Sequence, residues 1–214
     1  MNYKEQVICA FNDWAKTYEE EAEQKLKNRG YSYKILTELI LKYMDKKECY
    51  QILELGVGTG LIGKYMKKKL SEVEIDGIDI SLEMIKKARQ KNVYKQLYLD
   101  GADNYKYNKT YQFVYTAFML HSVEHQKQLI EKIYDKLYKN GVFVIVDLIH
   151  NLKPKRSLYE LNKHSKEYEH GAPANYKYLG EYIDLIEHTQ FNILEIKQLG
   201  ISKDYNHYMI VLKK

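Results

Sequence analysis

The stretch Gln51-Ile52-Leu53-Glu54-Leu55-Gly56-Val57-Gly58-Thr59-Gly60-Leu61-Ile62-Gly63 leaves little freedom in what this chain can fold into. Ile52, Leu53 and Leu55 have the apolar density of a short buried strand, and Leu61-Ile62-Gly63-Lys64-Tyr65-Met66 then takes up a helical period. Alternate glycines stand between them. They let the backbone turn through conformations closed to other residues and let a ligand lie on the main chain over a helix N-terminus. Gly58-x-Gly60-x-x-Gly63 fits the dinucleotide fingerprint, which alone is weak evidence. Val73-Glu74-Ile75-Asp76-Gly77-Ile78-Asp79 reads as a second strand, and Asp79 lies 21 positions after Gly58, near the spacing at which an acid meets ribose hydroxyls. A bound nucleoside with its ribose on Asp79 is the expectation.

Glu54, two positions before the first glycine, completes Glu-x-Gly-x-Gly-x-Gly, and here the stretch resembles motif I of the class I S-adenosylmethionine-dependent methyltransferases. The resemblance continues through Gly77-Ile78-Asp79-Ile80-Ser81-Leu82-Glu83-Met84-Ile85-Lys86-Lys87-Ala88, Leu97-Tyr98-Leu99-Asp100-Gly101, Phe113 to His121 and Asn140 to Asp147, which are similar to that family's second to fifth strand signatures. Phe11-x-x-Trp14-Ala15-x-x-Tyr18 extends it to the N-terminus. It implies a Rossmann-like α/β fold, a doubly wound, mostly parallel seven-stranded sheet with an antiparallel C-terminal strand. The implied cofactor is S-adenosylmethionine. Its implied contacts are the Gly56, Gly58 and Gly60 backbone, Asp79 at the ribose, Asp100 with Gly101 at the adenine, Ile80 and Met84 on the base, Tyr18 near the methionine moiety, and Ala117 after the fourth strand. Glu54 is expected to hold the loop or the cofactor's amino group. The family's usual Leu-Pro after the third-strand acid is missing, so Asp100 and Asp103 both remain candidates; Asp100 is preferred because it ends an apolar run, where open α/β sheets place ligand groups.

A chain of 214 residues is most simply one domain. Its 31 lysines against three arginines (Arg29, Arg89, Arg156) leave a net charge of only +5, and scarce guanidinium groups argue against a dedicated RNA reader. A small-molecule substrate is therefore favoured over nucleic acid as partner. Cys9 and Cys49 lack metal-site spacing, as do the histidines. Residues 1 to 30 show no signal-peptide run, and nowhere do eighteen apolar residues follow one another, so no membrane association and a cytoplasmic setting are expected.

Val7, Ile8, Phe11, Trp14, Ala15 and Tyr18 predict one helix from Asn2 to about Leu26, with Glu19-Glu20-Glu21-x-Glu23 on a solvated face. A second amphipathic helix is predicted over Tyr31 to Lys46, so residues 1–46 form N-terminal helices and a lid. Further helices are predicted to about Gln90, over Gln126 to Tyr138 and over Leu179 to Thr189. Residues 150–178 read as an irregular insertion covering the substrate site, partly helical around Leu158 to Tyr168. Phe191 to Leu199 and Tyr208 to Lys213 are two last strands.

A sulfonium already activates its methyl group, so such an enzyme mainly aligns a nucleophile in line and excludes water. His121, following the fourth strand, is the candidate general base, with a reference pKa near ~6.5. The reading is methyl transfer from S-adenosylmethionine to a small-molecule acceptor. The rivals are a tRNA-modifying enzyme using that cofactor or a carboxylated derivative, a nicotinamide-dependent oxidoreductase, and a non-catalytic nucleoside-binding protein.

Overall fold

Apolar residues on both faces of β1 (Gln51–Leu55) make it a central strand: Ile52 points into one core layer, Leu53 and Leu55 into the other. The computed structural model describes residues 1–45, 51–150, 169–200 and 205–214. Around β1 stand β2 (Glu74–Asp79), β3 (Gln96–Leu99), β4 (Tyr111–Ala117), β5 (Leu137–His150), β6 (Lys177–Tyr178), β7 (Asn192–Gly200) and β8 (Tyr205–Lys213). The order is β3-β2-β1-β4-β5-β8-β7, the seven strands expected, with the two-residue β6 added off this path at the end of β5. β1 is parallel to both β2 and β4, and β8 runs antiparallel to both β5 and β7. The crossovers leave β1 in opposite directions on its two sides, which opens a crevice at its carboxyl end.

Seven helices cover the sheet: α1 (Tyr3–Trp14), α2 (Tyr18–Lys27), α3 (Tyr33–Leu41), α4 (Leu61–Lys69), α5 (Leu82–Arg89), α6 (Gln126–Lys136) and α7 (Leu179–Glu187), counted among the described residues. Leu36 and Ile40 of α3 join Ile62 and Met66 of α4 over Val144 and Val146, while Leu129 and Ile133 of α6 join Tyr182 and Ile186 of α7 over Phe143 and Ile145. Side chains alternating along β5 thus serve both layers.

The single helix predicted from Asn2 to Leu26 is two. The chain breaks at Ala15 to Thr17, and the Trp14 indole N–H donates to Glu21 Oε2 across the break at 2.9 Å. The apolar period runs through the break and conceals it. Asn2 and Glu5 close a reciprocal capping box that starts α1. Glu19, Glu20 and Glu21 fall in the first turn of α2, where the helix dipole favours acids, and two of them have partners: Glu19 pairs with Lys91 at 2.7 Å and Glu21 with His170 at 3.0 Å. The helix expected to Lys46 ends at Leu41, and the one expected to Tyr138 ends at Lys136, where β5 begins. Residues 151–168, most of the expected insertion and its helix, lie outside the described residues, as does Cys49. Among the described residues no helix is long and apolar enough to cross a membrane.

β5 bulges against β4, pairing Leu137 with Tyr111 but Val142 with Phe113. Asn140 takes the left-handed φ of 66° that this bulge needs, and its amide donates to Lys214 O at 3.2 Å. Asn140→Ala is expected to lower stability by about 1–2 kcal/mol while Asn140→Gly is close to neutral. Urea denaturation midpoints of the two variants measure the difference.

Candidate active site

After Leu55 the backbone turns three times through left-handed space, at Gly56 (φ 71°), Gly58 (φ 51°) and Gly60 (φ 83°), before α4 begins. The Gly56 and Val57 amides both donate to Ile78 O, at 2.8 and 3.1 Å, which ties the loop to the end of β2. Asp79, at that end, accepts from the Gly58 amide on one oxygen at 2.8 Å and from the Ser81 amide on the other at 2.9 Å. One carboxylate therefore fixes both the glycine loop and the entry to α5. Burial pushes the Asp79 carboxyl up to about 6 against these amides, which favour the ionised form.

The fingerprint glycines divide their duties. A methyl at Gly58 would project toward the Tyr18 ring, 3.6 Å away, in an open cavity. One at Gly63 would fall 2.5 Å from the Tyr94 hydroxyl, and one at Gly60 3.1 Å from the Tyr94 ring. Gly60 and Gly63 thus clear a place for Tyr94 behind the loop. The Tyr94 hydroxyl donates to Glu54 Oε2 at 2.7 Å. Burial pushes the Glu54 carboxyl up to about 8, against the support of that hydroxyl, so the residue is held largely protonated at neutral pH. Glu54 and Gly60 do not line the cavity in front of the loop. Of the two roles anticipated for Glu54, this geometry fits holding the loop, through its bond to Tyr94 behind it.

The first cavity, of about 130 Å³, lies on the carboxyl edge of β1, β2 and β4. Gly56, Gly58, Asp79 and Ile80 form its floor; Met84, Asp100, Gly101, Ala117 and Tyr18 also line it. Nine of the anticipated cofactor contacts are therefore together. Asp100 accepts from the Gly101 amide at 2.7 Å and from Lys4 Nζ at 3.2 Å, while Asp103 also lines the cavity. Helix α1 closes the top with Tyr3, Val7 and Phe11. Asn12 anchors it, its Oδ1 accepting from the Ser81 hydroxyl at 2.7 Å and the Glu83 amide at 3.2 Å.

A second cavity, of about 360 Å³, lies under α2 and α3 and shares Phe11, Tyr18 and Phe118 with the first. Phe118 follows β4 with φ 57°, a left-handed conformation that costs a bulky residue about 1–3 kcal/mol. The Phe118 amide donates to Val146 O at 2.8 Å, which holds the ring at this junction.

His121 lines the second cavity, not the first, and its surroundings weigh against a free lone pair on its ring. Its Nδ1 lies 2.5 Å from Asp147 Oδ1 and its Nε2 3.1 Å from Glu169 Oε2. Its own amide donates to Asp147 Oδ2, which also accepts from Tyr182, and the Tyr176 hydroxyl donates to Glu169. Burial disfavours the charged ring, but the two carboxylates outweigh it and hold the His121 pKa well above its ordinary value. A buried imidazolium with both nitrogens engaged has no lone pair with which to act as a general base.

Tyr94 was missed because it follows α5 with no periodic signal; its only trace in the sequence is the glycines at 60 and 63, one capping α4 and one in its first turn. Lys4, Phe118, Lys25, Arg29 and His207 were missed as well, each being brought to the site by tertiary packing. Among the described residues no cluster of His, Cys, Asp and Glu would hold a metal.

A family model described as a methyltransferase domain matches residues 7–196. Malonyl-[acyl-carrier protein] O-methyltransferase 2 of Ilyobacter polytropus is 25% identical over 214 residues, 98% of this chain and 78% of that protein. Among solved structures, geranyl diphosphate C-methyltransferase from Streptomyces coelicolor in complex with S-adenosyl-L-homocysteine superposes with a TM-score of 0.69 at 9% identity, covering 84% of this chain and 75% of that one. The [4+2]-cyclase SpnF superposes with a TM-score of 0.68 at 12% identity, covering 85% and 80%. These two superpositions speak for the fold alone.

Gly63→Ala is expected to destabilise the fold by about 1–3 kcal/mol, and most of that loss should disappear when Tyr94 is also changed to Ala, as a double-mutant cycle in urea would reveal. A second outcome concerns the buried imidazolium. Because the folded His121 pKa is raised, its contribution to stability is complete below the unfolded value near ~6.5 and is lost as pH rises toward the folded value. Wild-type stability should therefore decline above that pH. His121→Gln, which leaves two carboxylates facing a neutral amide, should be less stable by roughly 3–5 kcal/mol and lack that decline, as unfolding titrations between acid and mildly alkaline pH would record.

Proposed function

The chain belongs to the methyltransferase domain family, the S-adenosylmethionine-dependent enzymes, and from that premise we propose that it methylates a small-molecule acceptor held in the second cavity. The observation that carries this reading is the wall of Phe11, Tyr18 and Phe118 shared by the two cavities, at the carboxyl edge where an open α/β sheet receives ligands. A donor in the first cavity and an acceptor in the second meet across three rings. A similar protein named for malonyl-acyl carrier protein supports an acceptor other than nucleic acid.

The residues present fit S-adenosylmethionine. Gly58 leaves main chain bare at the cavity floor, where a Cβ would take up ligand space, and Gly56 beside it makes room for the Met119 side chain that also lines the cavity. Asp79 retains lone pairs for the ribose hydroxyls beyond those used by the amides. Asp100 and the Gly101 backbone beside it are assigned to the adenine edge, Ile80 and Met84 to its faces, and Tyr18 and Ala117 to the methionine end. The cofactor supplies an activated methyl group on a sulfonium. The chain's own rings align donor and acceptor and exclude water from between them. His121 is assigned no proton transfer, so the acceptor must present a lone pair that needs no base from this ring.

Residues 1–214 are read as a single catalytic domain, with α1, α2 and α3 as its lid. The exposed thiol of Cys9 suits a reducing cytoplasmic setting.

Calorimetric titration with S-adenosylmethionine and S-adenosylhomocysteine tests the donor site, and transfer of a labelled methyl group to small acceptors, with tRNA in parallel, tests the reaction. Transfer to tRNA alone, or no transfer with tight binding, would overturn the reading. Asp79→Asn should weaken S-adenosylhomocysteine by about 1.5–3 kcal/mol, roughly tenfold to a hundredfold. Wild-type affinity should fall as pH drops through about 6, where Asp79 gains its proton, and the variant should show no such inflection. Equal affinity in the variant would remove Asp79 from the ribose.

A further inference from the structure

Helix α1 roofs the first cavity and also reaches the bonds that hold Asp79. Ser81 caps α5, its hydroxyl oxygen accepting from the Met84 amide at 3.2 Å. The Ser81 proton and the Glu83 amide both go to Asn12 Oδ1, at 2.7 and 3.2 Å. A side chain of α1 thus brings a second capping oxygen to α5, whose first amides have no partner within their own helix. Ser81 is fully buried, and its own amide donates to Asp79 Oδ1 at 2.9 Å.

A carboxylate turns easily about its last torsion, so the direction of its remaining lone pairs depends on what grips each oxygen. The Gly58 amide grips Asp79 Oδ2 at 2.8 Å, and the Ser81 amide grips Oδ1. The first of these belongs to the glycine loop. The second is steadied, through the Ser81 hydroxyl, by α1.

Fastening the lid does not by itself require Asn12. Lys4 Nζ meets Asp100 Oδ1 at 3.2 Å, Lys87 Nζ donates to the Lys16 carbonyl at 3.3 Å, and Lys91 pairs with Glu19 at 2.7 Å. These bonds already tie α1, α2 and the turn between them to the domain. They act away from the Asp79 carboxylate.

We propose, taking Asp79 as the acid at the ribose, that Asn12 is a positioning residue for the cofactor's sugar: by holding Ser81 it aims the Asp79 carboxylate at the two ribose hydroxyls. Preference for a ribose over a sugar lacking those hydroxyls is therefore set in part by the N-terminal helix.

The test compares adenosine with 2′,3′-dideoxyadenosine, which differ only in those hydroxyls. Each displaces S-adenosylhomocysteine from the full chain in calorimetry at about pH 8, where the Asp79 carboxyl, pushed up to about 6, is ionised. The wild type should prefer adenosine by about tenfold or more, as hydrogen bonds to a charged group require. Asn12→Ala should lose most of that preference, and Asn12→Asp, which keeps the accepting oxygen, should restore it. Asn12→Leu, similar in size but without the oxygen, gives the same reading should the alanine variant unfold. Lys4→Gln loosens the same helix without touching Ser81, and should change both affinities by one factor and leave the preference intact. A full preference in the Asn12→Ala or Asn12→Leu chain, its loss in Lys4→Gln as well, or no restoration in Asn12→Asp would each overturn the proposal. No preference in the wild type, or an undiminished one in Asp79→Asn, defeats the assignment of Asp79 to the ribose instead.

Discussion

The hydrogen bond from Tyr94 to Glu54 fixes the glycine loop from behind, and much of the site depends on it. A tyrosine ring sits against Gly60, Gly63 and Gly77: a side chain at Gly63 would collide with its hydroxyl, and one at either of the other two would press on the ring at 3.1 Å. The loop can then present only its other surface, Gly56 and Gly58, to the cavity. Asp79 secures the same loop from the front through the Gly58 amide. A flexible segment becomes a rigid floor because it is held on both sides, which is the preorganisation a binding site requires.

Much of this was legible in the sequence. Ile52, Leu53 and Leu55 announced β1, and the distance from Gly58 to Asp79 placed an acid where the sheet puts it, beside the loop and in the cavity. Those signals are local and periodic, or set by the length of one strand-helix-strand unit. What stayed hidden depends on long-range packing. Nothing near Gly63 says that a tyrosine 31 positions later will fill the space its missing side chain leaves. Nothing near His121 foretells Asp147 and Glu169, 26 and 48 positions away, whose charges turn a candidate base into a fixed cation. The break between α1 and α2 was masked for the opposite reason: the apolar stripe is continuous across it, because both helices cover the same edge.

Buried charge in this molecule has two distinct uses. The Asp147, His121 and Glu169 cluster joins the 3-10 turn after β4, the end of β5 and the segment before β6, three pieces remote in sequence. Tyr176 and Tyr182 satisfy remaining oxygens, so the cluster meets the condition under which buried ions are tolerated. Asp79, by contrast, is bonded to backbone amides and has no cation among those partners, which leaves it electrostatically responsive in the cavity wall.

Phe11 and Tyr18 flank the hinge between α1 and α2 and belong to both cavities. The compartments therefore have a common door. Any outward swing of these helices unroofs both at once, so neither occupant can exchange by that route without loosening the enclosure of the other. A ligand route that moved these two helices would tie exchange at one cavity to exchange at the other, with no signal needed to pass through the sheet beneath them.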